Sequence, residues 1–126
     1  MITVQIDAQH GIATVKPSGA LTETDFALVA GVVDPLIEHR GGLRGLIIEA
    51  EGFAGWADFA GLVAHLRFVR DHHRHIERIA VITDDAIASH LPSLASHFVA
   101  AEIRHFAGDA GDQARQWILE PTGPMP

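Results

Sequence analysis

No cysteine occurs among the 126 residues, which excludes disulfides, thiolate metal sites and a cysteine nucleophile. Apolar runs stay far short of the ~20 residues that a membrane span requires. Met1 leads directly into a strand-like alternation in place of a signal-peptide pattern. Basic residues are scarce: nine Lys and Arg stand against sixteen Asp and Glu, a net charge of −7 that argues against nucleic acid as a partner. What is present is the balance of a globular domain, 48% hydrophobic and 20% charged. A chain of this length buries about 65–70% of its unfolded surface, enough for one core.

Ile2, Val4 and Ile6 alternate with Thr3, Gln5 and Asp7, the period of a half-buried strand. His10-Gly11 turns the chain into a second strand over residues 12–16, ended by Pro17-Ser18-Gly19, so the sheet begins with an antiparallel hairpin. Thr22 and Asp25 form an N-terminal capping pattern for a helix whose Phe26, Val29, Val33 and Ile37 share one face. Asp34-Pro35 within it predicts a kink or restart, and Gly41-Gly42 ends it.

Leu46-Ile47-Ile48 and residues 79–82 are short continuous apolar runs, the pattern of central strands covered on both faces. Between them Asp58 caps a second helix with Phe59, Leu62, Leu66 and Val69 inward. Asp84 or Asp85 caps a third, with Ile87, Leu91 and Leu94, disturbed by Pro92. Residues 101–106 read as an edge strand bearing Glu102 and Arg104, and residues 108–119 as a last helix with Ala114, Trp117 and Ile118 inward. The predicted architecture is a single α/β domain over residues 1–119, with a flexible tail at 120–126. It has a mixed five-stranded sheet, helices on both faces and the order ββαβαβαβα.

Four stretches in this order resemble the SpoIIAA-like (STAS-related) family of small bacterial proteins. They are the Gly55-Trp56 turn, the amphipathic helix after it, Glu77-Arg78-Ile79-Ala80-Val81-Ile82-Thr83-Asp84, and Ala101-Glu102-Ile103-Arg104-His105-Phe106 followed by Ala114 and Trp117-Ile118-Leu119. The resemblance spans nearly the whole chain and implies a STAS-type fold, also likened to the CRAL-TRIO lipid-transfer fold, in a cytoplasmic protein with no established reaction. Relatives that antagonise anti-sigma factors use a phosphorylated serine at the start of the second helix. The matching stretch here is Gly55-Trp56-Ala57-Asp58-Phe59, without serine or threonine, so that switch is not carried over. Asp58 is either a fixed negative charge at that place or a helix cap.

Ligands of open α/β sheets favour the crevice beyond the carboxyl ends of the strands. Glu49, Glu51, Asp84, Asp85 and Asp109 gather there by topology, near Phe53 and Trp56. The expected ligand-binding residues are therefore Phe53, Trp56, Asp58, Thr83 and Asp84, against the alternative that the acids are caps and Trp56 plugs the core.

No catalytic or metal-binding set is expected, and no cofactor. His72-His73 and His73-X-His75 point apart on a helix, and Ser89, Ser93 and Ser96 lack a nucleophile-elbow sequence. Gly41-Gly42-Leu43-Arg44-Gly45 lacks the lysine of a phosphate loop.

Charge is more telling. Residues 65–78 hold four arginines against two acids, a net +2 that leaves −9 on the remainder. Arg67, Arg70, Arg74 and Arg78 with His72 form an expected interaction patch for an acidic partner or an anionic lipid, the alternative being a solvated face. Helix one is also apolar on its outer side at Leu28, Val32 and Leu36, which predicts a homodimer. The leading expectation is a non-enzymatic regulatory or protein-interaction domain. A binding module for a lipid or apolar small molecule comes second, and a metal-assisted hydrolase third.

Overall fold

The first hairpin closes as its alternation requires. In a computed structural model, which describes residues 1–50, 53–56, 59–84 and 100–120, β1 (Ile2–Asp7) pairs antiparallel with β2 (Ile12–Pro17), Val4 opposite Val15. Three parallel strands follow across the sheet: β4 (Leu43–Glu49), β6 (Ile76–Ile82) and β7 (Glu102–Phe106). The order is β1-β2-β4-β6-β7, a mixed five-stranded sheet with β1 and β7 at its edges.

Two short strands escape the sequence pattern. β3 (Gly19–Leu21) and β5 (Phe53–Trp56) pair parallel in a separate two-stranded sheet, with Leu21 opposite Trp56. Elements of three and four residues are too short to show a period, and Gly19 and Gly55 read as turns.

α1 (Glu23–Arg40) starts at a reciprocal cap: Asp25 N–H donates to Thr22 Oγ1 at 3.2 Å, and Thr22 N–H donates to Asp25 Oδ2 at 2.9 Å. Such a cap contributes about 1 kcal/mol. The helix then runs unbroken through Pro35, where a kink or restart was expected. Pro35 lies on the exposed side of α1, as does Gly31 one turn before it, so the carbonyl left without a donor faces water. Gly41 closes the helix in the left-handed conformation (φ 84°), its N–H donating to Ile37 O at 2.7 Å.

α2 (Phe59–His72) passes through a short 3-10 turn (His73–His75) into β6. α1 and α2 lie side by side on one face of the sheet. Phe26 stacks on His65 at 5.0 Å, and eight residues later Asp34 meets His72 at 2.6 Å, so the two helices run in the same direction. Val29 and Val33 pack there on Ala13, Val15, Leu46 and Ile76.

Among the described residues α3 (Gly111–Leu119) covers the opposite face, where Ala114, Trp117 and Ile118 meet Ile12, Ile47, Ala80 and Ile82. It sits unusually close to the sheet. A Cβ on Gly45 would fall 2.4 Å from Ile118, so glycine in β4 is what admits that side chain. The expected third helix, with Ile87, Leu91, Leu94 and Pro92, lies outside the described residues.

Candidate functional site

The two carboxylate-bearing strand ends named from the sequence carry structural bonds. Thr83 is only 1% exposed, so it offers a ligand no side-chain surface. Its N–H donates to Phe106 O at 3.0 Å, and its carbonyl accepts from His105 Nε2 at 2.7 Å, splicing β6 to β7 at their carboxyl ends. Asp84 is exposed but accepts the Gly108 N–H at 2.8 Å, fastening β6 to the turn before α3. Glu49 lies 3.2 Å from Lys16 across the sheet, and Asp109 is exposed. Phe53 and Trp56 lie on β5, so Trp56 belongs to a strand and not a loop. Asp58, Glu51 and Asp85 lie outside the described residues, as do Ser89, Ser93 and Ser96.

The patch expected on α2 divides. Arg67 and Arg70 on α2, and Arg74 in the 3-10 turn that follows it, are exposed, as is Leu66 at 62%. Arg70 Nε donates to its neighbour Asp71 at 2.9 Å, and that contact holds the Asp71 carboxyl below its ordinary value. His72 does not join them. With His65 and Phe68 it forms a stripe at i, i+3 and i+7 turned towards α1, its ring stacked on Phe68 at 4.0 Å. Each His72 ring nitrogen faces an oxygen acceptor, Phe68 O at 2.7 Å and Asp34 Oδ1 at 2.6 Å. Burial of His65 beneath α1 pushes its imidazole below the usual value.

Arg78 leaves the patch altogether. It lies on β6 with Ala80 and Ile82, the strand alternation that faces α3, whereas α2 covers the other face. There its guanidinium is buried, 5.1 Å above the Trp117 ring, and donates to the Trp117 carbonyl and, at 3.4 Å, to that of Glu120. Its Nε is 3.4 Å from Glu102 Oε2, close enough for ion pairing yet not aligned as a hydrogen bond.

A second arginine meets the same helix end. Arg44 Nε donates to Ile118 O at 3.3 Å, and its terminal nitrogen to Leu119 O at 2.6 Å. The last carbonyls of α3, which no further turn can satisfy, are thus capped by guanidiniums from β4 and β6. Spacing in the sequence gives no sign of this, because 39 residues separate Arg78 from Trp117 and 75 separate Arg44 from Leu119.

Two more arginines sit at the same end of the sheet. Arg40 donates to Ala8 O at 2.9 Å, and Arg115 pairs with Asp7, whose carboxyl it pulls down to about 2. His10 Nδ1, 2.8 Å from Asp7, completes that cluster. A cleft of about 460 Å³ opens beside them, lined by Arg40, Gly41, Gly42, Leu43, Arg44 and Glu77. Its lining is polar, unlike the apolar pocket that a lipid carrier requires. Among the described residues no group of three or more His, Asp or Glu side chains gathers to hold a metal. No described helix is long and apolar enough to cross a membrane.

A family model described as SpoIIAA-like matches residues 12–119. The chain belongs to the SpoIIAA-like family. The structure agrees. This SpoIIAA-like chain is similar, with a TM-score of 0.76 and 17% identity, to the crystal structure of an uncharacterized protein of the DUF3478 family with a SpoIIAA-like fold from Shewanella loihica PV-4. The similarity covers 94% of this chain and 92% of that one, and at such identity it concerns the fold alone. No curated protein matches the SpoIIAA-like chain.

Proposed function

We propose that this SpoIIAA-like chain is a non-enzymatic regulatory or protein-interaction domain of STAS type, bacterial and cytoplasmic, that meets an acidic protein partner through the outer side of α2. The observation that supports this reading is the exposed row Arg67, Arg70 and Arg74 beside the exposed Leu66, on a chain whose total charge is −7. An apolar anchor next to guanidiniums is the composition of a docking surface. The apolar contact holds the partner while the charges steer its approach and exclude basic competitors. A STAS-type domain of this kind works as a homodimer, a reading supported by Leu28 and Val32, large apolar side chains left exposed on α1.

The test is titration with an oligo-glutamate peptide, read by calorimetry. Wild-type protein binds, affinity falls as salt rises, and the variant Arg67→Gln, Arg70→Gln, Arg74→Gln loses at least about tenfold, since charged contacts at a rim set approach and salt dependence. Equal binding by the variant removes the reading. Vesicles of anionic and neutral lipid at pH 6 and 7.5 form the second arm. Selective binding to anionic vesicles without peptide binding replaces the protein partner with a membrane surface.

A further inference from the structure

The two edges of the main sheet are built differently. β7 carries Glu102 and Arg104, and charged side chains on an edge strand discourage pairing with another chain. β1 reads Ile-Thr-Val-Gln-Ile-Asp, with no proline and no basic residue. Its Ile2, Val4 and Ile6 pair with Pro17, Val15 and Ala13, and Val15 and Ala13 belong to the core beneath α1, so these three apolar residues lie on the α1 side. Ile6 is 38% exposed there, and on α1 Leu28 is 49% and Val32 38% exposed. Among the described residues, four of the five exposed large apolar side chains (Met1, Ile6, Leu28 and Val32) belong to β1 and α1 or directly adjoin β1. Among the described residues an edge strand without a further pairing partner and an apolar helix flank therefore occur together.

We infer that a second copy of this chain pairs with β1 antiparallel across a two-fold axis at Val4, making one continuous ten-stranded sheet. This rests on the homodimer reading above and names its seam. In a two-fold antiparallel pair the numbers of facing residues have a constant sum, and only an even sum keeps apolar residues on one side. A sum of eight sets Ile2 against Ile6, Thr3 against Gln5, and Val4 against Val4 of the second copy. A sum of ten pairs Val4 with Ile6 only and leaves Ile2 unmatched. The Val4-centred register also keeps the two Asp7 carboxylates at opposite ends of the seam. The same axis reverses the direction of α1, so the acidic first turn of one α1, with Glu23, lies toward the basic last turn of the other, with His39. Apolar pattern and charge are both self-complementary, which a two-fold interface requires and an arbitrary peptide does not supply.

The absence of native cysteine makes the test direct. Facing residues in an antiparallel pair lie about 4.5–5.5 Å apart at Cα, inside the range a disulfide spans. Single Val4→Cys protein therefore cross-links to a dimer on mild oxidation, whereas Leu66→Cys on α2 does not. Ile6→Lys, a charge placed on the seam at an exposed position, weakens dimerisation at least about tenfold by sedimentation, as edge lysines do. Wild-type protein sedimenting as a monomer at about 100 µM, a concentration at which micromolar dimers are populated, overturns both the dimer and its seam. A wild-type dimer that Val4→Cys fails to cross-link, or that Leu66→Cys cross-links instead, overturns the edge pairing and leaves the dimer standing. The conservative volume of Val4→Cys keeps the test readable even where Ile6→Lys lowers stability.

Discussion

Arg78 and Arg70 lie eight residues apart and do opposite work. Arg78 is buried under α3, with its guanidinium on a tryptophan face and directed at helix-end carbonyls. Arg70 stands in solvent, 2.9 Å from an adjacent aspartate. Arg44, half-buried, also donates to helix-end carbonyls, and Arg67 and Arg74 are exposed like Arg70. The difference teaches that an arginine-rich segment is not one electrostatic object. Strand alternation turns Arg78 to the face opposite α2, where its charge satisfies backbone acceptors. The guanidiniums of Arg67, Arg70 and Arg74 stand exposed to solvent.

The largest expected effect is on the buried side. Arg78→Ala removes the guanidinium donor from the Trp117 and Glu120 carbonyls, leaving Trp117 O with the Glu120 N–H at 3.2 Å, and removes the cation from the Trp117 face. It should cost about 3 kcal/mol in urea unfolding. Gly45→Ala asks whether α3 is held by its caps alone. The new methyl meets Ile118 at 2.4 Å in a fully buried position, so a loss of about 1–3 kcal/mol is expected with both arginines intact. An unchanged midpoint would show that the caps suffice and close packing does not matter.

Arg115→Ala moves the comparison to the sheet edge, where the arginine meets a carboxylate instead of a carbonyl. Asp7 titrates at about 2 in the folded chain against an ordinary 3.8. The pair therefore stabilises the protein fully above pH 4, and its contribution is lost as pH falls from there through about 2. In the variant the Asp7 carboxyl rises toward its ordinary value, and acid unfolding followed by circular dichroism loses part of its slope in that window. The smallest effect on stability belongs to the exposed set. Replacing Arg67, Arg70 and Arg74 together by glutamine should change the unfolding free energy by less than about 0.5 kcal/mol per site. A larger loss would mean that these arginines also serve the fold.

The sheet was readable where residues repeat with a period. Alternation at Ile2, Val4 and Ile6 placed β1, the turn at His10-Gly11 placed β2, and the apolar runs placed β4 and β6, with β7 read from residues 101–106; Thr22 with Asp25 placed the start of α1. The bounds of α1 followed from Thr22 and Gly41, but the helix does not restart at Pro35, because a proline rule cannot tell a solvent-facing position from a packed one. β3 and β5 were missed for want of length. The site was less legible. Helical spacing puts His65 and His72 on one side of α2, but nothing local tells whether that side meets water or α1. Arg78 and Thr83 were placed by neighbourhood in sequence, whereas their surroundings include α3 and β7, segments about twenty residues or more away. Capping arginines follow no spacing at all, since the helix they cap and the strands that carry them meet only in the folded sheet.

The caps on α3 have a mechanical side. A helix of nine residues is too short to persist alone, so α3 holds its shape through the strands beneath it. Its final carbonyls are tied through Arg44 to β4 and through Arg78 to β6, the two strands at the heart of the sheet. A pull applied beyond Glu120 is therefore carried by two guanidiniums straight into the middle of the domain, and does not peel the fold from an edge. Tension at that end and integrity of the central strands become a single quantity.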